Sequence, residues 1–291
     1  MPLHYGLIGH PLGHSLSPFI HRRLFALQGW EGSYTLQDLE PSRLKEELPA
    51  LLEQMAGLNV TIPYKQEVLP FLDTLEGRAA LYRSVNTIAV TGNQGRPVYT
   101  GYNTDADGFR LSLAAAGVPL AGRVALLGCG GVSRTFACEA ALAGCAVVDA
   151  VRDPLSPRAL QLREDVERLV PGASFELVSM GGLSGDFDLL INGTPVGMTP
   201  HPEGCPVGRE VLSRTAAVFD AIYNPARTRL LQLAEAEGAR TLGGMPMLVW
   251  QAVQAHTCWY GASFRQEDIE ALCQEAEEEL ARRFGGPGEA R

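Results

Sequence analysis

The sequence predicts an α/β protein of two domains, and three observations carry the prediction. Apolar, strand-like runs alternate with helix-like segments along nearly the whole chain, the pattern of mostly parallel sheets covered by helices. A length of 291 residues exceeds the usual size of one compact domain and supplies two cores. The stretch LLGCGGVSR sets a glycine-rich turn between a strand and a helix, as a nucleotide-binding unit does.

In chain order, LHYGLIG reads as a strand and SPFIHRRLFALQGW as a helix, with Ser17 as N-cap, Pro18 in the first turn and Gly29 at the end. SYTLQDL is a second strand, PSRLKEELPALLEQM a second helix and GLNVTI a third strand closed by Pro63. A helical stretch is expected from there to about Tyr82, then SVNTIAV and PVYTGYNTD as a hairpin or edge pair. A helix from near Asp105 to Ala116 leads to the boundary GVPLAG.

Beyond it RVALLG, CAVVDAV, FELVSM, DFDLLIN, AAVFDAIYN and ARTLG are six strand candidates with helices between them, a full Rossmann-like sheet. Two final helices, MLVWQAVQAHTCWYG and EDIEALCQEAEEELARRFGG, have no strand to follow and are expected to return to the first domain. The division is thus 1–106 completed by 243–291, and 107–242, with a ligand cleft expected between the two.

Composition removes several function classes. A net charge of −9 argues against a nucleic acid as principal partner, since that binding draws on clustered Lys and Arg. No run approaches eighteen apolar residues and no basic flank precedes the short apolar opening, so neither a membrane span nor a signal peptide is expected and the chain reads as cytoplasmic. Six scattered cysteines without C-x-x-C spacing read as reduced, buried thiols. His10 and His14 lack a third ligand, so no metal is expected. The oligomeric state is open between monomer and homodimer.

Five stretches carry chemistry. In the glycine loop, Gly128, Gly130 and Gly131 let the backbone approach a pyrophosphate at a helix N-terminus, small Ser133 stands where a third glycine often lies, and no lysine follows as in a P-loop. About twenty residues on, DAVRDPLSPR offers both an acid for a ribose hydroxyl and an arginine for a 2′-phosphate, so NAD and NADP both remain in play. In HSLSP, the hydroxyls of Ser15 and Ser17 stand one residue apart before a helix-opening proline, a spacing that suits an anion. NVTIPYK and GYNTDADG put Asn59, Thr61, Lys65, Asn103, Thr104 and Asp105 beyond two strands, where they could hold a polyhydroxylated ligand with Lys65 and Asp105 as a proton-transfer pair.

Taken in order, HSLSP, NVTIPYK, SVNT, GYNTDADG, GCGGVSR, NGTPVGM, DAIYNP and MLVWQA resemble the hallmark segments of the shikimate dehydrogenases, over almost the whole chain. The resemblance implies reversible, NADP-dependent reduction of 3-dehydroshikimate to shikimate in aromatic amino-acid biosynthesis, without a metal. It implies that Ser15 and Ser17 bind the substrate carboxylate, that Asn86 and Asp105 bind ring hydroxyls, and that Thr61, Tyr223 and Gln251 complete the pocket. Lys65 matches the catalytic lysine, with Asp105 orienting it. Asn192, Thr194, Gly244 and Met247 are expected at the cofactor, with Arg134 and Arg152 at its adenosine end.

The sequence departs from the family pattern in three places. Arg22 replaces an asparagine, His256 replaces a customary aromatic, and the family's N-R-T becomes Val151, Arg152 and Asp153. The arginines weigh toward NADP. The close rival is an NAD-using quinate/shikimate dehydrogenase; a catalytically silent nucleotide sensor is the rival of another class, against which intact Lys65 and Asp105 speak.

Overall fold

The computed structural model describes residues 3–13, 15–93 and 96–284. The chain divides into two compact units, Met1–Gly108 with Leu248–Arg291, and Phe109–Met247.

The first unit opens with β1 (Leu3–Gly9), α1 (Ser17–Leu27), β2 (Gly32–Asp38), α2 (Leu44–Gln54) and β3 (Gly57–Val60). It continues with β4 (Thr74–Leu75), α3 (Arg78–Tyr82), β5 (Thr87–Asn93), β6 (Arg96–Tyr102) and the start of α4 (Thr104–Ala115). Its sheet runs β2-β1-β3-β5-β6-β4; β1 lies parallel to β2 and β3, whereas β5 is antiparallel to both β3 and β6. The period-two alternation of side chains gives the sheet two apolar faces. Ile8, Leu58, Val60 and Ile88 pack on Leu44, Leu48 and Leu52, which α2 presents at successive turns. Tyr5, Leu7, Phe25 and Tyr34 form the other core with Ala255 and Trp259.

Those last two residues belong to α9 (Met245–Tyr260), which is followed by the last helix, α10 (Gln266–Phe284). The Trp259 indole N–H donates to the Ile88 carbonyl at 3.0 Å, and Arg23 of α1 grips Glu275 of α10 through two nitrogens at 2.6 and 2.8 Å. The tail thus packs on the first unit.

Two local expectations change. Ser17 is the first helical residue of α1 rather than its cap; Ser15 Oγ accepts the Ser17 N–H at 3.1 Å, so the serine two residues earlier takes an orphan donor. The stretch after Pro63 is not one helix. Pro63, Pro70 and Gly77 interrupt it, and the Asp73 carboxylate accepts the Tyr99 N–H at 2.9 Å, so the chain makes turns, the short strand β4 and only then α3.

The second unit holds β7 (Arg123–Leu127), α5 (Gly131–Leu142), β8 (Ala146–Val151), α6 (Pro157–Leu169), β9 (Phe175–Ser179) and β10 (Leu189–Asn192). It continues with α7 (Arg209–Leu212), β11 (Ala217–Asp220), α8 (Arg229–Ala236) and β12 (Arg240–Leu242). Every neighbouring pair in the order β12-β11-β10-β7-β8-β9 is parallel, and the direction of winding reverses between β7 and β10. In such a sheet, ligands bind beyond the carboxyl ends of the strands at this reversal.

The cysteines are all free thiols, but only Cys138 and Cys145 are buried; Cys129, Cys205, Cys258 and Cys273 are partly exposed. Helix packing and loop ends leave room at those four that composition does not reveal. His10 Nδ1 lies 2.7 Å from Asp38 Oδ1, and His14 lies outside the described residues. Among the described residues no helix is long and apolar enough to cross a membrane.

Candidate active site

In the first unit the serine loop, the end of β3 and the start of α4 each bring a polar group. Ser15 is partly exposed and Ser17 is 9% exposed, at the mouth of α1. Behind them the buried Tyr34 donates its hydroxyl to Asn59 Oδ1 at 2.8 Å; burial pushes that hydroxyl well up, and a hydrogen bond from Ser17 pulls it partly back. Asn59 also donates to the Thr87 hydroxyl at 3.0 Å and the Asn86 carbonyl at 3.2 Å. It therefore braces the sheet from inside β3 and has nothing left to offer a ligand.

Just past β3, the Thr61 N–H donates to the Ile8 carbonyl and the Lys65 carbonyl accepts the Val85 N–H, which pins both residues to the strand ends. Lys65 Nζ then reaches Asp105 Oδ2 at 2.5 Å, with side chains 32% and 20% exposed, close enough to solvent to meet a ligand. Asp105 owes its place to Asn86. The Asn86 Oδ1 accepts the Thr104 N–H at 2.6 Å and its Nδ2 donates to Thr104 Oγ1 at 3.0 Å, which fixes the first turn of α4. Asn103 is buried and donates to the Ser84 carbonyl, so it too is internal. Gln251, on α9, donates to the Leu248 carbonyl at 2.9 Å.

In the second unit the glycine loop follows β7 and opens α5. Gly128 has φ +94, a backbone that L side chains rarely adopt, and a Cβ there would lie 2.7 Å from Thr194 Cγ2. At Gly131 a Cβ would meet nothing within 4 Å, so the space over the helix N-terminus is open, as a bound phosphate needs. Ser133 is buried and donates to the Gly193 carbonyl at 3.3 Å, tying this loop to the one after β10. There, Asn192 Oδ1 accepts the Thr194 N–H and hydroxyl at 3.0 and 2.7 Å. Gly244 runs so close to β11's exit that a Cβ would sit 2.3 Å from the Ala221 carbonyl, and Met247 is buried. Burial raises the Tyr223 hydroxyl above its usual range.

The adenosine end separates the candidate charges. Arg134 Nε is held by Asp165 at 2.7 Å, so its charge is already answered. Arg152 and Arg158 are exposed and, among the described residues, make no ion pair; both lie near enough to lower the Cys129 thiol against the burial that raises it. Asp153 is exposed and closes the turn into α6, where Oδ1 accepts the Leu155 N–H at 2.9 Å and its carbonyl accepts from the Ser156 hydroxyl.

Three residues that motif reading passed over are structurally central. Tyr34 is a tyrosine of the second strand, with no motif to mark it. His21 was visible only as part of an amphipathic helix. Asp220 stands in DAIYNP itself, where a buried acid at a strand end was the available signal.

The chain is similar over most of its length to known proteins. A family model described as the shikimate dehydrogenase substrate binding domain matches residues 7–88. The chain is 37% identical over 262 residues to a shikimate dehydrogenase (NADP(+)) of Methanothermobacter thermautotrophicus, covering 88% of this chain and 90% of that one. It is 35% identical over 292 residues to the protein of the same name from Moorella thermoacetica, with 98% and 96% covered. A crystal structure of shikimate 5-dehydrogenase from Thermus thermophilus in complex with NADP(H) and shikimate matches with a TM-score of 0.81 at 33% identity, covering 94% of this chain and 99% of that one.

Proposed function

The chain belongs to the shikimate dehydrogenase family, and from that premise we propose that it interconverts 3-dehydroshikimate and shikimate with NADP, using Lys65 and Asp105 for the proton. The observation that carries the reading is the 2.5 Å contact between Lys65 Nζ and Asp105 Oδ2, partly exposed, while the neighbouring Asn59 and Asn103 are spent on structure. It is an oxidoreductase acting on a CH–OH group.

Bound NADPH supplies the hydride that the ring carbonyl carbon accepts. The residues of the chain do the rest. As the C=O bond becomes C–OH, its oxygen takes a proton, and Lys65 Nζ is the donor; in the reverse direction the amine takes the hydroxyl proton back. Asp105 keeps the lysine aimed and shares the hydroxyl. General acid-base help of this kind is worth about 10² to 10⁴ in rate. Ser15 and Ser17 offer hydroxyls to the substrate carboxylate; the remaining N–H of the Asn86 amide donates to a ring hydroxyl and the Asp105 carboxylate accepts from one, with Thr61, Tyr223 and Gln251 completing the set. Gly128, Gly130 and Gly131 admit the pyrophosphate, Thr194 lines the neighbouring loop, Gly244 and Met247 stand at the start of α9, and Arg152 takes the 2′-phosphate. Ser133 and Asn192 serve by holding these loops together. Six free thiols suit the reducing cytoplasm.

Initial rates of the purified chain over shikimate or quinate with NADP⁺ or NAD⁺ test this. Shikimate with NADP⁺ is expected to give the highest kcat/KM; a larger value for quinate with NAD⁺ would replace the reading with the catabolic one.

A further inference from the structure

Asp220, the last residue of β11, has no exposed surface, yet it is ringed by donors. Its Oδ1 accepts the Asn192 amide at 2.9 Å and the Ile222 N–H at 3.1 Å, and its Oδ2 accepts the Thr228 hydroxyl at 2.6 Å. Each donor belongs to a different piece of the second unit. Asn192 ends β10 and, through its own Oδ1, holds the Thr194 N–H and hydroxyl; Thr194 Oγ1 in turn accepts the Val196 N–H at 3.3 Å. Ile222 precedes Tyr223. Thr228 caps α8 by accepting the Leu231 N–H.

One carboxylate thus fixes the loop of residues 193–198, the segment carrying Tyr223 and the first turn of α8. The first of these matters most, because that loop lies against the glycine loop: Thr194 Cγ2 occupies the space a Gly128 side chain would need, and Ser133 bonds the Gly193 carbonyl. The far ends of the same two segments are joined separately, where the Thr199 N–H donates to the Asn224 carbonyl at 3.0 Å. Asp220 is the anchor at the end nearer the glycine loop.

We infer that Asp220 is a positioning residue for cofactor binding: without touching NADP it sets the 193–198 loop against the glycine loop and fixes the approach to Tyr223. This rests on the reading of the chain as an NADP enzyme. It also recasts Asn192, whose amide and carbonyl oxygen are both committed inside the protein, as the link between Asp220 and Thr194 and not as a cofactor contact.

The inference separates binding from folding. Asp220→Ala removes the anchor and is expected to raise the Kd for NADPH, titrated directly by the fluorescence of the reduced nicotinamide, by about tenfold or more, since a buried bond to a charged group is lost. Asp220→Asn keeps an oxygen for Asn192 and Ile222 and can turn its amide to the Thr228 oxygen, so it is expected to restore Kd to within about threefold. Thr228→Val removes a bond from the same carboxylate and the cap of α8, yet leaves the Asn192 link; it is expected to lower the melting temperature with Kd unchanged. If Asp220→Ala does not fold, Asn192→Ala cuts the same loop from the same carboxylate and is expected to weaken NADPH equally.

Wild-type Kd for NADPH in both Asp220→Ala and Asn192→Ala, or a Thr228→Val variant that weakens NADPH as much as they do, overturns the inference. A wild-type protein that does not bind NADPH overturns the reading beneath it instead, so the two failures are told apart.

Discussion

His21 and His256 lie ring against ring in the interior of the first unit, with His21 Nδ1 2.9 Å from His256 Nε2, planes 15° apart and no exposed surface on either. His256 Nδ1 meets the Tyr260 hydroxyl, and His21 stacks on Tyr34 at 4.0 Å, directly behind the serine loop. Only one proton fits between the two facing nitrogens, and His21 Nε2 has no partner among the described residues. The pair is built for neutral imidazoles. Burial lowers both, His256 to about 3 and His21 well below its usual value, where a charge on His256 would oppose it as well.

Acid should therefore destabilise this protein through a pair that the usual aromatic at position 256 would not form. In the unfolded chain each ring takes a proton near pH 6.5, whereas folded His256 takes one only near 3. Between those values the unfolded state holds more protons, so stability is intact above about 6.5 and falls as the pH drops, by about 1.4 kcal/mol per pH unit for each proton. Asp149 works in the opposite direction. Neither of its buried carboxyl oxygens has a partner among the described residues, the nearby Gly128 N–H being given to Ala150, and burial raises it to about 8. Comparing variants cancels that term. Urea unfolding of wild type and His256→Phe at pH 7.5 and 4.5 should show the difference moving in favour of the phenylalanine at the lower pH; parallel losses would mean the pair stays neutral for free.

Lys65→Ala is expected to lower kcat by at least about 10² with a much smaller change in KM, because its proton is needed chiefly in the transition state. Asp105→Asn should lower kcat less, while raising KM for shikimate, since Asp105 both aims the lysine and faces the ring hydroxyls. A Lys65→Ala enzyme with near-normal kcat in steady-state assays would take Lys65 out of the chemistry.

The sequence marks these two residues by type and by place after strands, and the fold brings them together at 2.5 Å; the six parallel strands were legible because each is an apolar run bounded by Gly, Pro or Asn. What a side chain is already bonded to was not legible. Asn59 and Asn103 look as available as Thr61, but the fold buries both, and a buried amide must spend its donors and acceptors internally. Arg134 looked like a cofactor cation until α6 brought Asp165 to it from 31 residues away. The helix expected after Pro63 failed for a related reason, since Asp73 bonds to β6 and pulls that stretch into the sheet. Local pattern decides which element forms; long-range partners decide which polar group is left over.

Ser15→Ala and Ser17→Ala should each raise KM for shikimate, by about tenfold or more, if each hydroxyl gives the carboxylate a charged hydrogen bond worth roughly 1.5–3 kcal/mol. Their side effects differ. Ser15 also accepts the first N–H of α1, so its loss should lower the melting temperature slightly, whereas Ser17 loses a bond to Tyr34. Unchanged KM in both variants would remove the serine loop from the carboxylate.

Cofactor choice turns on which charges at the end of β8 are free. Asp153 is the residue that could have favoured NAD by accepting from a ribose 2′-hydroxyl, but one of its oxygens closes the turn into α6 on the Leu155 N–H, as aspartates do at such turns. Arg152 and Arg158 remain exposed without carboxylate partners among the described residues, and a guanidinium matches a phosphate in both charge and geometry. Arg152→Ala should therefore cut kcat/KM with NADP⁺ by at least about tenfold, 1.4 kcal/mol, and leave NAD⁺ within about twofold. Asp153→Asn, which keeps an oxygen for Leu155, should leave the NADP⁺ preference in place. Equal losses with both cofactors in Arg152→Ala would assign the arginine to the adenine ring, and a wild-type enzyme already preferring NAD⁺ by about tenfold would show that the remaining Asp153 oxygen outweighs both arginines.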